Sequence, residues 1–556
     1  MNRRLLVFGF LLLGAALLLV VRDSLARRSG IFEHLDLLAD VRHEIVSSYV
    51  EKPDEPELIE AAVRGMIDAL DDPYTAFLSP DENDAFDKHV RGSFSGIGAM
   101  VDLDPDEPRR EERRLRIVSP LEESPAWNSG VMAGDVVLEI DGVDTKGMRI
   151  NECVKRLTGE VGTQVTITVR HPSAETEPIT ITRAQINIQT VKGFRRDAEH
   201  RWRFMVDEPN RIGYVRVTQF TERTTEDLEA ALDQIVAADA AGVVLDLRFN
   251  AGGLLSSAVD VSDLFLERGR KIVSMKGRTI PEKMFRSTSD PVLAAIPVVV
   301  LANEASASAA EIVTGALADN QRAKFIGMRT FGKGSVQQYK LLMDHKHEMQ
   351  GGLKITHAYY YLPNGRNIHR RFTRGDGDLE KAEKEQQLWG VDPDDGFFVP
   401  MTPDQIEKMI EVRREGDILR HKQDETAPSA VTPEWLETQL GDIQLAAALR
   451  ALLGRVETGT WPQVGRAGGQ LLIDETKRAS LIRRRELVKE HLESIEKELA
   501  ELDQPNDDGD ETAKMEPDEA GEVPAEEQVD AAAEMLPDEA GEVPEMEAVG
   551  EPVPVQ

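Results

Sequence analysis

A single cysteine, Cys153, stands among the 556 residues. One thiol forms no internal disulfide, and CxxC-type metal sites are excluded. Basic charge is short as well: 66 Lys and Arg against 100 Asp and Glu leave a formal charge of −34. That balance argues against a nucleic-acid partner, because phosphate binding needs clustered Lys and Arg. The 11 histidines include no HExxH or comparable cluster, so no metal and no cofactor is expected. The GxxxxGK[ST] phosphate loop and the GxSxG elbow are missing too, which disfavours a P-loop nucleotide hydrolase and an α/β hydrolase. Cys153 itself lies in INECVKRL, an amphipathic helical pattern, and reads as a packed thiol.

The acidic excess is uneven. From Gln504 to the end there are 18 acids and one lysine, a charge of −17. This stretch repeats PDEAGEVP at Pro517–Pro524 and Pro537–Pro544. With prolines, one-sided charge and few aromatics it cannot bury enough surface to fold, and a disordered spacer over 504–556 is expected. At the other end, Arg3 and Arg4 precede an uncharged apolar run, Leu5–Val21, of 17 residues. That length is at the short end of a membrane span of about 17–25 residues. An uncleaved signal-anchor over 1–27 is the first reading and a cleaved export signal the second. The arginines before the run favour an N-in orientation, so a single-pass membrane protein with its catalytic part extracytoplasmic, periplasmic or equivalent, is expected.

Between these ends the chain changes character several times. Residues 28–90 read as helical, with Leu35, Leu38, Val41, Ile45 and Tyr49, then Ile59, Ala62, Met66 and Leu70, at helical spacing. Residues 91–175 hold a glycine-rich GSFSGIGAMV, a charged loop, and three short β-rich runs: LRIVSPL, GDVVLEIDG and QVTITVRH. Residues 176–400 alternate strands with helices, which argues for an α/β core. Here RIGYVRVTQF, GVVLDLRF, IPVVVLAN and KFIGM read as strands, and TTEDLEAALDQIVAA as a helix opening at a Thr cap. Residues 401–503 return to helix, ending in a short heptad-like seam from Val488 to Leu502.

Two segments carry candidate chemistry, because each ends a buried strand at a helix or a glycine loop, where open α/β sheets gather active sites. The first is Asn303–Glu311, NEASASAAE, which places Ser308 at a helix start beside small residues. The second is Thr330–Gln337, TFGKGSVQ, which places Lys333 between glycines. A lysine can replace histidine as the base for a serine nucleophile.

NEASASAAEIVTGAL followed by RTFGKGSVQ resembles the C-terminal processing peptidases, or tail-specific proteases. Ser308 lies 25 residues before Lys333, and Gln337 four after it, as that family's serine, lysine and glutamine do. The similarity extends through DLRFNAGG at Asp246–Gly253, and through GSFSGIGA and SGVMAGDVVLEIDG, which look like the family's PDZ module. It covers about residues 35–400. The resemblance implies an α/β serine peptidase core with an inserted PDZ domain, flanked by a helical N-terminal region and a helical C-terminal extension. It implies Ser308 as nucleophile, Lys333 as base, Gln337 as its orienter, and the amides of Gly253 and Ala309 as oxyanion hole. It also implies a carboxylate-binding loop at Gly96, Ile97, Gly98 and Ala99. Partners would be protein or peptide substrates with free C-termini and a membrane; a homo-oligomer is a further option. Ala310 departs from the family's serine before the glutamate, and Phe249 replaces a polar residue.

For Lys333 to take a proton from Ser308 it must be neutral. Its ordinary pKa of about 10.4 must fall to about 7–8, roughly 4 kcal/mol, which burial among apolar groups supplies. A catalytically silent, membrane-tethered PDZ scaffold is the rival reading. It would need none of Ser308, Lys333 and Gln337.

Overall fold

The structure, a computed structural model, describes residues 35–370 other than 345, then 389–420, 431–467 and the single positions 485, 489 and 492. The apolar run Leu5–Val21, most of the Val488–Leu502 seam and the acidic repeats lie outside the described residues. The expectation of a single-pass membrane protein is corrected here: among the described residues no helix is long and apolar enough to cross a membrane. Length is the physical reason, since the longest described helix, Ile443–Thr458, has 16 residues and falls short of a span.

The N-terminal region begins with helix α1 (35–48) and α2 (Glu55–Asp68), the latter capped by Asp54, whose side chain accepts from the Glu57 amide. A short strand β1 (Ala76–Leu78) and helix α3 (Pro80–Arg91) follow. Ser79 and Glu82 form a reciprocal capping box that starts α3, and Gly92 ends it in the left-handed conformation.

The next module runs through β2 (Ser93–Gly96), β3 (Ala99–Leu103), β4 (Leu115–Pro120), β5 (Val136–Ile140), helix α4 (Ile150–Leu157), β6 (Gln164–Arg170), β7 (Thr176–Thr182) and β8 (Ala184–Asn187). Strands β3 to β7 form an antiparallel sheet in sequence order, and β2 pairs separately with β8. The alternating apolar positions of β6, Val165, Ile167 and Val169, point into one core with Ile117, Ile140, Leu157 and Cys153. The expected packed thiol is thus fully buried, and burial pushes it up to about 11.

The α/β core comprises β9 (Val191–Lys192), β10 (Met205–Asp207), β11 (Ile212–Val217), α5 (Thr224–Ala237), β12 (Gly242–Asp246), α6 (Leu255–Asp263), β13 (Lys271–Lys276), β14 (Lys283–Arg286), β15 (Val298–Ala302), α7 (Ala309–Asp319), β16 (Ala323–Gly327), β17 (Ser335–Met343) and β18 (Met349–Tyr361). Strands β11, β12, β15 and β16 run parallel in that order. Their continuous apolar runs, such as VVVLA in β15, suit a sheet buried on both faces. Helices α5, α6 and α7 cover one face with Leu228, Val261 and Val313. The other face is covered by α9 (Ile443–Thr458), which follows α8 (Pro403–Asp417) and contributes Leu445, Leu449 and Leu452. A second, five-stranded sheet orders β1, β18, β13 and β14, with β17 also paired to β18.

The expected Thr cap of α5 is displaced. Arg223 precedes the helix and makes no side-chain cap. The Thr224 hydroxyl instead donates to the Gln219 carbonyl at 3.0 Å and accepts from the Thr221 amide at 2.9 Å, so it braces the preceding turn.

Candidate active site

Three loops leave the carboxyl ends of adjacent parallel strands and meet. Leu247–Leu254 follows β12, Asn303–Ser308 follows β15, and Met328–Gly334 follows β16. The first two are stapled together. Asn250 accepts from the Ala307 amide at 2.9 Å through its carbonyl, its side chain donates to Val217 at 2.8 Å, and Ser306 donates to Leu247 at 2.8 Å. Phe249, held at φ 62°, donates its amide to Asn303 Oδ1 at 3.1 Å.

Ser308 ends its loop at φ 55°, ψ −113°, a conformation costing on the order of 1–3 kcal/mol for a non-glycine residue. The contacts around it hold it there. Its amide donates to Glu311 Oε2 at 2.8 Å and its carbonyl accepts from the Tyr360 hydroxyl at 3.2 Å. Gly252 and Gly253 have to be glycine at this approach. A Cβ on Gly252 would stand 2.7 Å from the Ser308 Cβ, and one on Gly253 2.1 Å from the Phe220 carbonyl oxygen. Among the described residues neither the Gly253 amide nor the Ala309 amide donates to a protein acceptor.

Lys333 is half-buried. Its amide donates to the same Glu311 oxygen at 2.8 Å, while Glu311 Oε1 accepts from Gly332 at 2.6 Å and from the Thr330 hydroxyl at 2.5 Å. Glu311 is fully buried, and burial pushes it up to about 7 against the pull of those four donors. The Lys333 amine lies 4.9 Å from the centroid of the Tyr74 ring and makes no hydrogen bond to Ser308. Burial lowers its pKa and the neighbouring Lys354 ammonium lowers it further, opposed by Glu311 and Asp72. Gln337 sits next along, and its side-chain amide donates to Ser335 and Thr356, each at 3.0 Å, rather than to Lys333.

Ser308, Ala309, Gly253, Lys333 and Gln337 all line one cavity of about 2100 Å³. Met100, Ser119 and Leu121 of the β2–β8 module line it as well, whereas Gly96, Ile97, Gly98 and Ala99 do not. In that last segment Gly98 sits at φ 77°, where a Cβ would stand 2.4 Å from the Ser124 Cβ. The carbonyls of Ile97 and Gly98 accept from Ala126 and Leu121.

The description of Peptidase family S41 matches residues 211–377, that of a PDZ domain residues 116–171, and that of the activating protease CtpB N-terminal domain residues 21–82. A carboxy-terminal-processing protease of Bartonella bacilliformis is 32% identical over 470 residues, 83% of this chain and 98% of that protein. The chain belongs to the C-terminal processing peptidases. Carboxy-terminal processing protease CtpA of Bacillus subtilis is 32% identical over 60% of this chain and 67% of its own. Among solved structures, the photosystem II D1 C-terminal processing protease is 28% identical, covering 65% of this chain and 86% of that one, at a TM-score of 0.35. The protein is thus an S41 serine peptidase with a PDZ domain. Sequence reading passed over three residues at this site: Glu311, Tyr74 and Lys354. Only Glu311 had a local signal, since Ser308-x-x-Glu311 is the capping-box pattern at a helix start.

Proposed function

We propose that the enzyme cleaves proteins near their C-termini through Ser308 and Lys333, with the PDZ domain holding the substrate tail. Ser308 Oγ attacks the peptide carbonyl and gives its proton to the neutral Lys333 amine. The oxyanion takes the free amides of Gly253 and Ala309, a contribution of about 3–4 kcal/mol per donor. The protonated Lys333 returns its proton to the leaving amine, and water then hydrolyses the acyl-enzyme. Gln337 orients the amine. The tail adds as a strand to the PDZ domain and presents its carboxylate to the amides of Gly96–Ala99.

The observation that carries this reading is one cavity shared by the Ser308 hydroxyl, the Lys333 amine and two unspent backbone amides. Control of access to the site by the PDZ domain is supported by α8 and the residues just after it, which touch both domains. Arg414 faces Asp102 at 3.8 Å and the Leu419 amide donates to Ser119 at 2.9 Å, while Arg413 donates to Asp246 at 2.6 Å, beside the oxyanion loop.

The test incubates the protein and its S308A and K333A variants with a disordered protein and follows the fragments by mass spectrometry. Both variants are expected to stay folded and to lose cleavage. Wild-type turnover in either would remove the assignment, and peptide binding without turnover in the unmutated protein would favour a scaffold.

A further inference from the structure

Tyr74 reaches the site from outside the segment matched to the S41 family, out of the turn between α2 and β1. The turn is rigidly built. Asp72 accepts from the Tyr74 amide at 3.1 Å and from the Thr75 hydroxyl at 2.6 Å. Thr75 Oγ1 accepts from the Thr356 amide at 3.1 Å, and β1 pairs with β18 through Ala76 and Lys354. The ring so fixed meets the Lys333 amine on its face and the His369 ring at its edge, 6.0 Å between centroids. The Tyr74 hydroxyl is buried with no hydrogen-bond partner among the described residues. The face of the ring, not its hydroxyl, makes the contact with Lys333.

Lys333 forms no ion pair among the described residues. The charged groups that act on it are Lys354 on β18, Glu311 on α7 and Asp72 on the tyrosine turn, while Tyr360 on β18, and His369 and Arg370 beyond it, face Tyr74. A carboxylate paired directly with the amine would hold the ammonium by about 1–3 pH units. A ring face holds it by roughly 0.4–1.5 units, and only while it is charged. A neutral amine loses that attraction.

We propose that Tyr74 is a positioning residue for Lys333: its ring holds the ammonium at the cavity wall while the site is empty and frees the amine towards Ser308 once it is neutral. Substrate entry dries the cavity and disfavours the ammonium, so release follows binding. This rests on Lys333 serving as the base.

The experiment measures kcat/KM against pH for the full chain and for Y74L, Y74F and K333A, using a disordered reporter peptide, with thermal melts alongside. Y74L is expected to move the acid limb down by about half a unit, because the ammonium loses its ring. Y74F is expected to restore the limb. A wild-type limb in Y74L, or equal shifts in Y74L and Y74F, would overturn the proposal while leaving the base intact. Turnover in K333A would instead remove the base itself. If Y74L does not fold, Y74M carries the same expectation.

Discussion

Ser308 and Lys333 donate their backbone amides to one oxygen, Oε2 of Glu311, each at 2.8 Å. Two loops from different strands are thereby fixed by one buried carboxyl group. The strained backbone of Ser308 and the approach of the lysine loop both depend on it.

Glu311→Gln puts an amide group where each oxygen accepts two hydrogen bonds. Whichever way the new side chain turns, two buried donors lose their acceptor, at about 1–3 kcal/mol each. Turnover at saturating substrate is expected to fall tenfold or more with little change in KM, together with a lower melting temperature. Unchanged turnover would show that the loops hold their register without it. The raised pKa also has a sign. Glu311 is pushed up to about 7 from 4.5, so the folded state favours its proton, and stability falls as pH rises through that interval. The Gln variant loses this slope.

Lys354 is the like charge nearest in effect to the proposed base. Lys354→Met removes it while keeping an apolar stem, so the Lys333 ammonium is less disfavoured and its pKa rises. The acid limb of kcat/KM should move to higher pH, opposite to the shift expected on removing the Tyr74 ring. A limb that stays put would mean the two amines are screened from each other.

The segments that carry Ser308 and Lys333 to one cavity were legible because each ends a readable strand, whereas the roles expected of them and of Gln337 came only from the family resemblance. The parallel strands were legible for the same reason, since buried strands are continuous apolar runs. Tyr74 and β1 were not. Ala76–Leu78 is three residues long and is a strand only because it pairs with Gly352–Lys354, far along the chain. Nor did the sequence, which read as helical there, say which surface α9 covers. The expected anchor rested on the length of one apolar run and the arginines before it, and no described helix supports a membrane span.

A buried ion network joins the Leu247–Leu254 loop to the C-terminal helices. Arg248, buried between Phe249 and β12, donates to Asp246 at 2.7 Å and to Asp442 at 2.7 and 2.8 Å, and Arg413 adds to Asp246. Burial alone would raise Asp246, but the guanidiniums of Arg248 and Arg413 outweigh it and hold the carboxyl well below its usual range. Asp442→Ala leaves the buried guanidiniums of Arg248 and Arg413 sharing one carboxylate, Asp246, and uncaps α9. A loss of about 3–5 kcal/mol is expected, read as lost hydrogen-exchange protection in β12 and α9. Wild-type protection there would show that α9 holds by apolar contact alone.

His171 in the PDZ domain is clamped between two carboxylates, Asp135 at 2.7 Å and Glu177 at 3.0 Å, and is itself buried. Burial opposes the imidazolium, but the hydrogen bonds to Glu177 and Asp135 outweigh it and raise the pKa above 6.5. The folded domain therefore binds this proton more tightly than the unfolded chain does. The stabilisation is complete below about pH 6.5 and disappears as pH rises through the higher folded value. Hydrogen exchange over β4 and β5 in the full chain should speed up across that window, beyond the intrinsic base-catalysed rate. His171→Gln keeps two polar contacts without the titrating charge, so its corrected exchange should be flat. An equal acceleration in the variant would place the pH dependence elsewhere in the domain.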